Sequence, residues 1–146
     1  MSNHNYYVEI RELRYKIRQC EIEIGKLTDE IEELRHAKRK VSSTNDETTK
    51  CKNISIGKLS NTGVLQLINP KIAKNIHSKF DNVLESQIIN HSLIGLLTTL
   101  EKIDEEIKQR ESRIMALRIE IKSYETRIRE LQTLAEEEAR AEALNR

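Results

Sequence analysis

Aromatic side chains are scarce in this sequence. Only 3% of its 146 residues are aromatic, tryptophan is absent, and Phe80 is the single phenylalanine. A thick globular core normally contains more aromatic mass. Abundant Ile, Leu, Glu, Lys and Arg are instead typical of long paired helices. The composition therefore predicts an all-α protein rather than a layered globular domain.

Cysteine and long apolar runs are scarce as well. Two cysteines, Cys20 and Cys51, are too few for a disulfide framework. The longest apolar run, Leu93–Leu97, is interrupted by Gly95 and is much shorter than a membrane span. The first nine residues lack the apolar core of a secretory leader. We therefore expect a cytoplasmic chain without a membrane segment, and any export would use a route without a cleaved signal peptide.

Neither sign of charge dominates. The chain has 25 basic and 24 acidic residues, which gives a formal net charge of +1. The two signs alternate along the sequence, whereas binding to nucleic acid or to an anionic membrane needs a basic face. We therefore predict no nucleic-acid partner and no membrane partner.

No motif for catalysis or for a cofactor is recognisable. The four histidines are scattered, without a second His or Cys at metal-ligand spacing. Neither a glycine-rich phosphate loop nor a Ser or Cys nucleophile motif occurs. The carboxylates lie among Lys and Arg, as on a solvated helix face. We therefore expect no enzyme activity, no catalytic residues, no metal and no cofactor.

Two heptad series organise the chain. Apolar residues recur at alternating steps of three and four, which places them along one seam of a helix that faces another helix. The first series comprises Tyr6, Ile10, Leu13, Ile17, Cys20, Ile24, Leu27, Ile31, Leu34 and Val41. The second comprises Ile89, Leu93, Leu96, Leu100, Ile103, Ile107, Ile114, Leu117, Ile121, Tyr124, Ile128 and Leu131. Arg110 occupies a seam position, where a charge either sets the register or, as we favour, extends its guanidinium to solvent.

The segment boundaries follow from these patterns. We predict a first long helix over 5–41, a loop and connection over 42–69, and a second long helix over 70–140. The loop is predicted because its first part, SSTNDETTKCKN, is polar and without apolar periodicity. Together the segments form a single domain spanning residues 1–146.

Three further features refine the second helix. Asn69-Pro70 is a helix start signal, with Asn as the N-cap and Pro at the first helical position. The apolar spacing changes phase after Leu84, which predicts a kink near 84–95. The tail from Ala135 to Arg146 keeps helix propensity but loses large apolar residues, which predicts an exposed, fraying end.

The predicted fold is an elongated antiparallel helical hairpin, coiled-coil-like, with a short helical or irregular cap between its two long helices. A parallel coiled coil between chains is the alternative, because Ile at one seam position and Leu at the other favours parallel dimers. Apolar residues outside the seam make the apolar side of each long helix wider than one partner helix can cover. These are Ile22, Ile94, Leu97, Met115 and Ile119. They predict further helices from a second copy or from another protein.

The layout resembles a known family. A charged heptad helix opens the chain (YVEIRELRYKI, residues 7–17), a middle stretch ends in KFDN at 79–82, and a second long helix carries IDEEIK at 103–108 and RIMAL at 113–117. This pattern is similar to the YwqH-like, LXG-toxin-associated proteins of bacterial type VII secretion, relatives of the WXG superfamily of helical hairpins. The resemblance does not include the Trp-x-Gly turn, because the chain has no Trp.

The resemblance implies a function. It implies a non-enzymatic adaptor or chaperone that pairs with the N-terminal helical region of an LXG toxin, with a second small helical protein as a further partner, and that supports the toxin's export. The alternative is a self-associating coiled-coil protein, such as a homodimeric scaffold or spacer. The predicted partner interface is the seam: Ile10, Leu13, Ile17, Ile24, Leu27, Ile31, Leu34, Ile107, Ile114, Leu117, Ile121, Tyr124, Ile128 and Leu131.

Overall fold

Helices make up almost all of the structure. The computed structural model describes residues 3–60, 69–84 and 87–145. It contains helix α1 (Asn3–Ser60), helix α2 (Pro70–Leu84) and helix α3 (Gln87–Leu144). No strand occurs within those three ranges. The predicted all-α class is confirmed.

In each of two compact units, contacts between α1 and α3 show whether the two helices run parallel or antiparallel. Unit 1 consists of Met1–Glu33 and Ile107–Arg146, and unit 2 of Leu34–Glu106. In unit 1, Tyr6 contacts Glu138 and, further along α1, Glu30 contacts Arg110. As residue numbers rise along α1, those of its contacts on α3 fall, so the two helices are antiparallel.

Unit 2 has the same helix direction. Lys38 of α1 contacts Asp104 of α3, whereas Lys52, further along α1, contacts Asn90. The helical hairpin with a short helix between the long ones is thus confirmed. The assignment of residues 1–146 to one domain stays a prediction.

The predicted loop after Val41 is wrong. Helix α1 continues through the polar stretch 42–53 and ends at Ser60. Ser, Thr and Asn usually weaken helices because their side chains compete for backbone hydrogen bonds. Here three hydroxyl groups donate to the carbonyl oxygen four residues earlier, at 2.8 to 3.0 Å, and so remain compatible with the helix; they belong to Thr44, Thr48 and Thr49. The rest of the predicted connection, residues 61–68, lies outside the described residues.

The start signal at Asn69-Pro70 is confirmed. Helix α2 begins at Pro70, and the backbone N–H of Ile72 donates to Asn69 Oδ1 at 3.5 Å, as expected of an N-cap. The predicted kink falls partly on residues 85 and 86, which lie outside the described residues. From Gln87 onwards α3 is continuous and includes Gly95.

The end of α3 is helical and mostly exposed, as predicted, apart from Ala135. The helix extends to Leu144, and Ala135 is buried. Ala135 and Glu138 continue the three-and-four spacing of Ile128 and Leu131, so the seam persists with a smaller side chain. A small seam residue gives little signal in an apolar pattern, so the burial of Ala135 was not predicted from the sequence.

Candidate interaction surfaces

The seam of unit 1 is the best-packed part of the described structure. Leu117 and Leu131 are each only 1% exposed. Ile10, Leu13, Ile128 and Leu131 form one buried cluster, with Tyr6, Ile17 and Tyr124 packed against it. This cluster joins the first turns of α1 to the last third of α3. The heptad pattern predicted these contacts correctly.

The structure brings all fourteen predicted interface residues to the helix–helix seam. Eight of them are buried: Ile10, Leu13, Ile31, Ile107, Ile114, Leu117, Ile128 and Leu131. The other six are half-buried: Ile17, Ile24, Leu27, Leu34, Ile121 and Tyr124. The protein's own helices cover these side chains, so the seam as a surface for another protein stays a prediction. A partner that binds the intact hairpin would contact side chains outside the seam.

Cys20 occupies a seam position and is buried, as a small apolar residue would be. Burial raises the pKa of its thiol, and the nearby carboxylates of Glu120 and Glu23 raise it further. The thiol therefore stays protonated and unreactive at neutral pH. Cys51, by contrast, is exposed on α1.

Ion pairs join the two helices beside the seam in unit 1. Arg110 Nε lies 2.7 Å from Glu30 Oε2, Arg113 Nε 2.9 Å from Glu23 Oε1, and Arg127 Nε 3.1 Å from Glu9 Oε1. Each of these glutamates directly precedes a seam isoleucine, at positions separated by multiples of seven. The hydrogen bonds to Glu23 and Glu9 raise the pKa values of Arg113 and Arg127 above their ordinary value.

The remaining position of this series, between Glu9 and Glu23, carries Lys16 instead of a glutamate. Its ammonium lies 5.9 Å from the centre of the Tyr124 ring, within range of a cation–π contact. Thus α1 presents three carboxylates and one cation to three arginines and one ring on α3. A shift of one heptad would separate these pairs, so the charges select the observed antiparallel register.

Arg110 takes part in this selection. Its side chain is 26% exposed, and its contact with Glu30 shows that it pairs across the hairpin. We expect Arg110→Glu to lower the free energy of unfolding by about 1 kcal/mol, because two carboxylates would then face each other beside the seam. The measurement is urea unfolding followed by circular dichroism at 222 nm.

Two variants make that prediction specific. Adding Glu30→Arg to Arg110→Glu restores the pair with reversed polarity and should recover part of the loss. Arg118→Glu makes the same change at an exposed position of α3 and should have a smaller effect. An equal loss in Arg118→Glu would show that net charge, and not the pair, controls stability.

Apolar side chains outside the seam remain exposed. Met115 is 65% and Ile119 69% exposed on unit 1, and Ile22 on α1 is also more than half exposed. Met115 and Ile119 are four residues apart on α3 and therefore share one side of the helix. Arg118 and Lys122, both exposed, flank them at the same helical spacing. We call Met115, Arg118, Ile119 and Lys122 the outer α3 surface.

A groove extends the outer α3 surface. Its lining includes Ile119 and Lys122 and continues along α3 to Thr126 and Glu130. The surface is thus an apolar strip with Arg118 and Lys122 beside it, and the shallow depression ends at Glu130. Such a strip fits an amphipathic helix that carries acidic residues next to its apolar ones.

The seam of unit 2 differs from that of unit 1. On α1 this seam begins with the apolar residues Leu34 and Val41, but the half-buried positions that follow are polar; these are Asn45, Thr48 and Lys52. On α3 the apolar series continues through Leu96 and Leu93. Within the part of unit 2 that the structure describes, no side chain is as fully buried as the core of unit 1. Beyond Val41, an apolar side of α3 therefore packs against a polar side of α1.

The described residues contain neither a membrane-spanning helix nor a metal cluster. None of their helices is long and apolar enough to cross a membrane. They also lack any group of three or more His, Cys, Asp or Glu side chains placed to hold a metal ion.

No protein-family model, curated protein or solved structure matches the chain.

Proposed function

We propose that this protein is a non-enzymatic adaptor that binds the helices of another protein through the outer α3 surface. The observation that carries the proposal is the exposure of Met115 and Ile119 on a helix whose seam residues Ile114 and Leu117 are buried. Scattered exposed apolar residues are normal, but two on one helix side with matched basic neighbours form a surface. A helix with acidic flanks would cover it.

The partner class follows from the resemblance to LXG-toxin-associated proteins. In this proposal the client is the N-terminal helical region of a type VII toxin encoded by an adjacent gene. Its helices pack side by side with the hairpin, which covers their apolar faces and keeps them soluble before export. The assembled helices then present one composite surface to the secretion machinery. The adaptor itself performs no covalent chemistry.

We expect Met115→Glu with Ile119→Glu to weaken the adaptor–client complex by at least about tenfold, because two apolar contacts are lost and two like charges face the client's acidic flank. Isothermal titration of the purified chain with the toxin's N-terminal region measures the affinity. Ile94→Glu with Leu97→Glu adds the same charges in unit 2 and should leave the affinity within about twofold. An unchanged affinity in the unit 1 variant would reject the outer α3 surface.

A self-associating structural coiled coil is the alternative function. Light scattering of the chain, alone and co-expressed with the product of the adjacent gene, separates the two. A complex of both proteins supports the adaptor. A homodimer that does not bind the neighbouring product contradicts it and supports a scaffold or spacer.

A further inference from the structure

One part of α3 contains no charged side chain. Between Gln87 and Leu100 the sequence QIINHSLIGLLTTL includes no Asp, Glu, Lys or Arg, in a chain that is 34% charged. Beyond Leu100, charged residues recur every few positions through the rest of α3. We call Gln87–Leu100 the charge-free stretch. Its composition is that of a surface buried by association rather than one that faces solvent.

The chain itself leaves part of this stretch uncovered. Ile94 is 59% and Leu97 51% exposed. The two residues are three positions apart and so lie on one side of α3. Leu93 and Leu96, on the seam side of α3, are only half-buried, and the half-buried α1 positions in this part of unit 2 are polar. An additional helix would therefore bury apolar area that the hairpin does not.

The charges at the two ends of the charge-free stretch are complementary. At its start, Lys52 of α1 donates to Asn90 Oδ1 at 3.3 Å, which places a cation beside Asn90. At its end, the exposed carboxylate of Glu101 follows Leu100. The surface thus has a basic end and an acidic end with only uncharged residues between them. A two-fold rotation exchanges these ends.

We propose that a second copy of this chain docks here, with the two α3 helices antiparallel across a two-fold axis between Ile94 and Leu97. Ile94 of each copy then packs on Leu97 of the other. Glu101 of each copy meets Lys52 and the Asn90 amide of the other. In a two-fold symmetric interface, residues near the axis lie close to the same residues of the other copy, so a charged residue there would be repelled by its counterpart. The charge-free stretch avoids that repulsion. The dimer is separate from the outer α3 surface and goes beyond the adaptor function.

Sedimentation equilibrium of the full chain at micromolar concentration tests the dimer. The expected mass is twice 17.0 kDa for the native sequence. Ile94→Glu with Leu97→Glu should raise the dimer dissociation constant at least about tenfold. Met115→Glu with Ile119→Glu, the same change on unit 1, should leave it unchanged. A monomeric native chain overturns the proposal, as does an equal response of the two variants.

A charge exchange tests the two-fold geometry. Glu101→Lys places a cation beside Lys52 of the other copy and should weaken the dimer. Adding Lys52→Glu restores opposite charges and should strengthen it again. Both variants change exposed or half-buried side chains, and circular dichroism checks that their helix content equals that of the native chain. A double variant no tighter than Glu101→Lys alone overturns the antiparallel arrangement.

Discussion

Replacing Leu117 by Asp is expected to lower the free energy of unfolding by at least about 4 kcal/mol. Leu117 is 1% exposed and lies on the seam of unit 1. The substitution removes a fully buried side chain and places a carboxylate among apolar neighbours without a partner. Because a domain of this size is stable by about 5 to 15 kcal/mol, the loss is a large fraction of the total. Urea unfolding monitored at 222 nm measures it.

Met115→Asp is the matched control for Leu117→Asp. Met115 lies two residues away on the same helix and is 65% exposed. Leu and Met have similar helix propensities, so the cost of Asp within a helix is the same in both variants and cancels. We expect Met115→Asp to change stability by about 1 kcal/mol or less. Similar losses in the two variants would show that Leu117 is not part of the packed seam.

The heptad pattern predicted the fold well because its signal is repeated many times. Each large apolar residue at three-and-four spacing independently indicates the same helix face, and a seam needs a second helix opposite. The pairing of residues near the start of α1 with those near the end of α3 followed from the antiparallel hairpin. Tyr6, Ile10 and Leu131 meet as that arrangement requires.

Sequence reasoning failed where helix formation depends on the opposite helix rather than on local residues. The stretch 42–53 has no apolar series of its own, and Thr and Asn are weak helix formers. It is helical alongside an apolar face of α3, with its threonine hydroxyls bonded to the helix backbone. A tertiary contact of this kind leaves no periodicity in the segment that it stabilises.

The ion pairs illustrate what a sequence pattern cannot resolve. Alternating charges beside the seam were expected, but the pairing of Glu23 with Arg113, and not with another basic residue, depends on the register of two helices. Arg110 is the clearest case. Its side chain was expected to extend to solvent, and it ends in an exposed contact with Glu30, at 2.7 Å, that the sequence pattern did not identify. Register is a property of the folded hairpin, and it determined this outcome.

The second large effect that we expect is an increase in stability when polar seam residues of unit 2 are replaced by leucine. We expect Asn45→Leu with Thr48→Leu to raise the free energy of unfolding by about 3 kcal/mol. Both positions are half-buried on α1, where leucine would extend the apolar contact with α3. About 1 kcal/mol of this gain comes from the higher helix propensity of Leu, and about 2 kcal/mol from buried apolar area. Urea unfolding at 222 nm again provides the measurement.

Thr44→Leu with Asn53→Leu separates the two contributions. It replaces the same residue types in the same helix, and the Thr44 hydroxyl, like that of Thr48, donates to the carbonyl four residues earlier. Both control positions are exposed, so the control gains propensity without packing. We therefore expect the seam variant to exceed the control by about 2 kcal/mol. If the two gains are equal, α1 does not pack its Asn45–Thr48 side against α3.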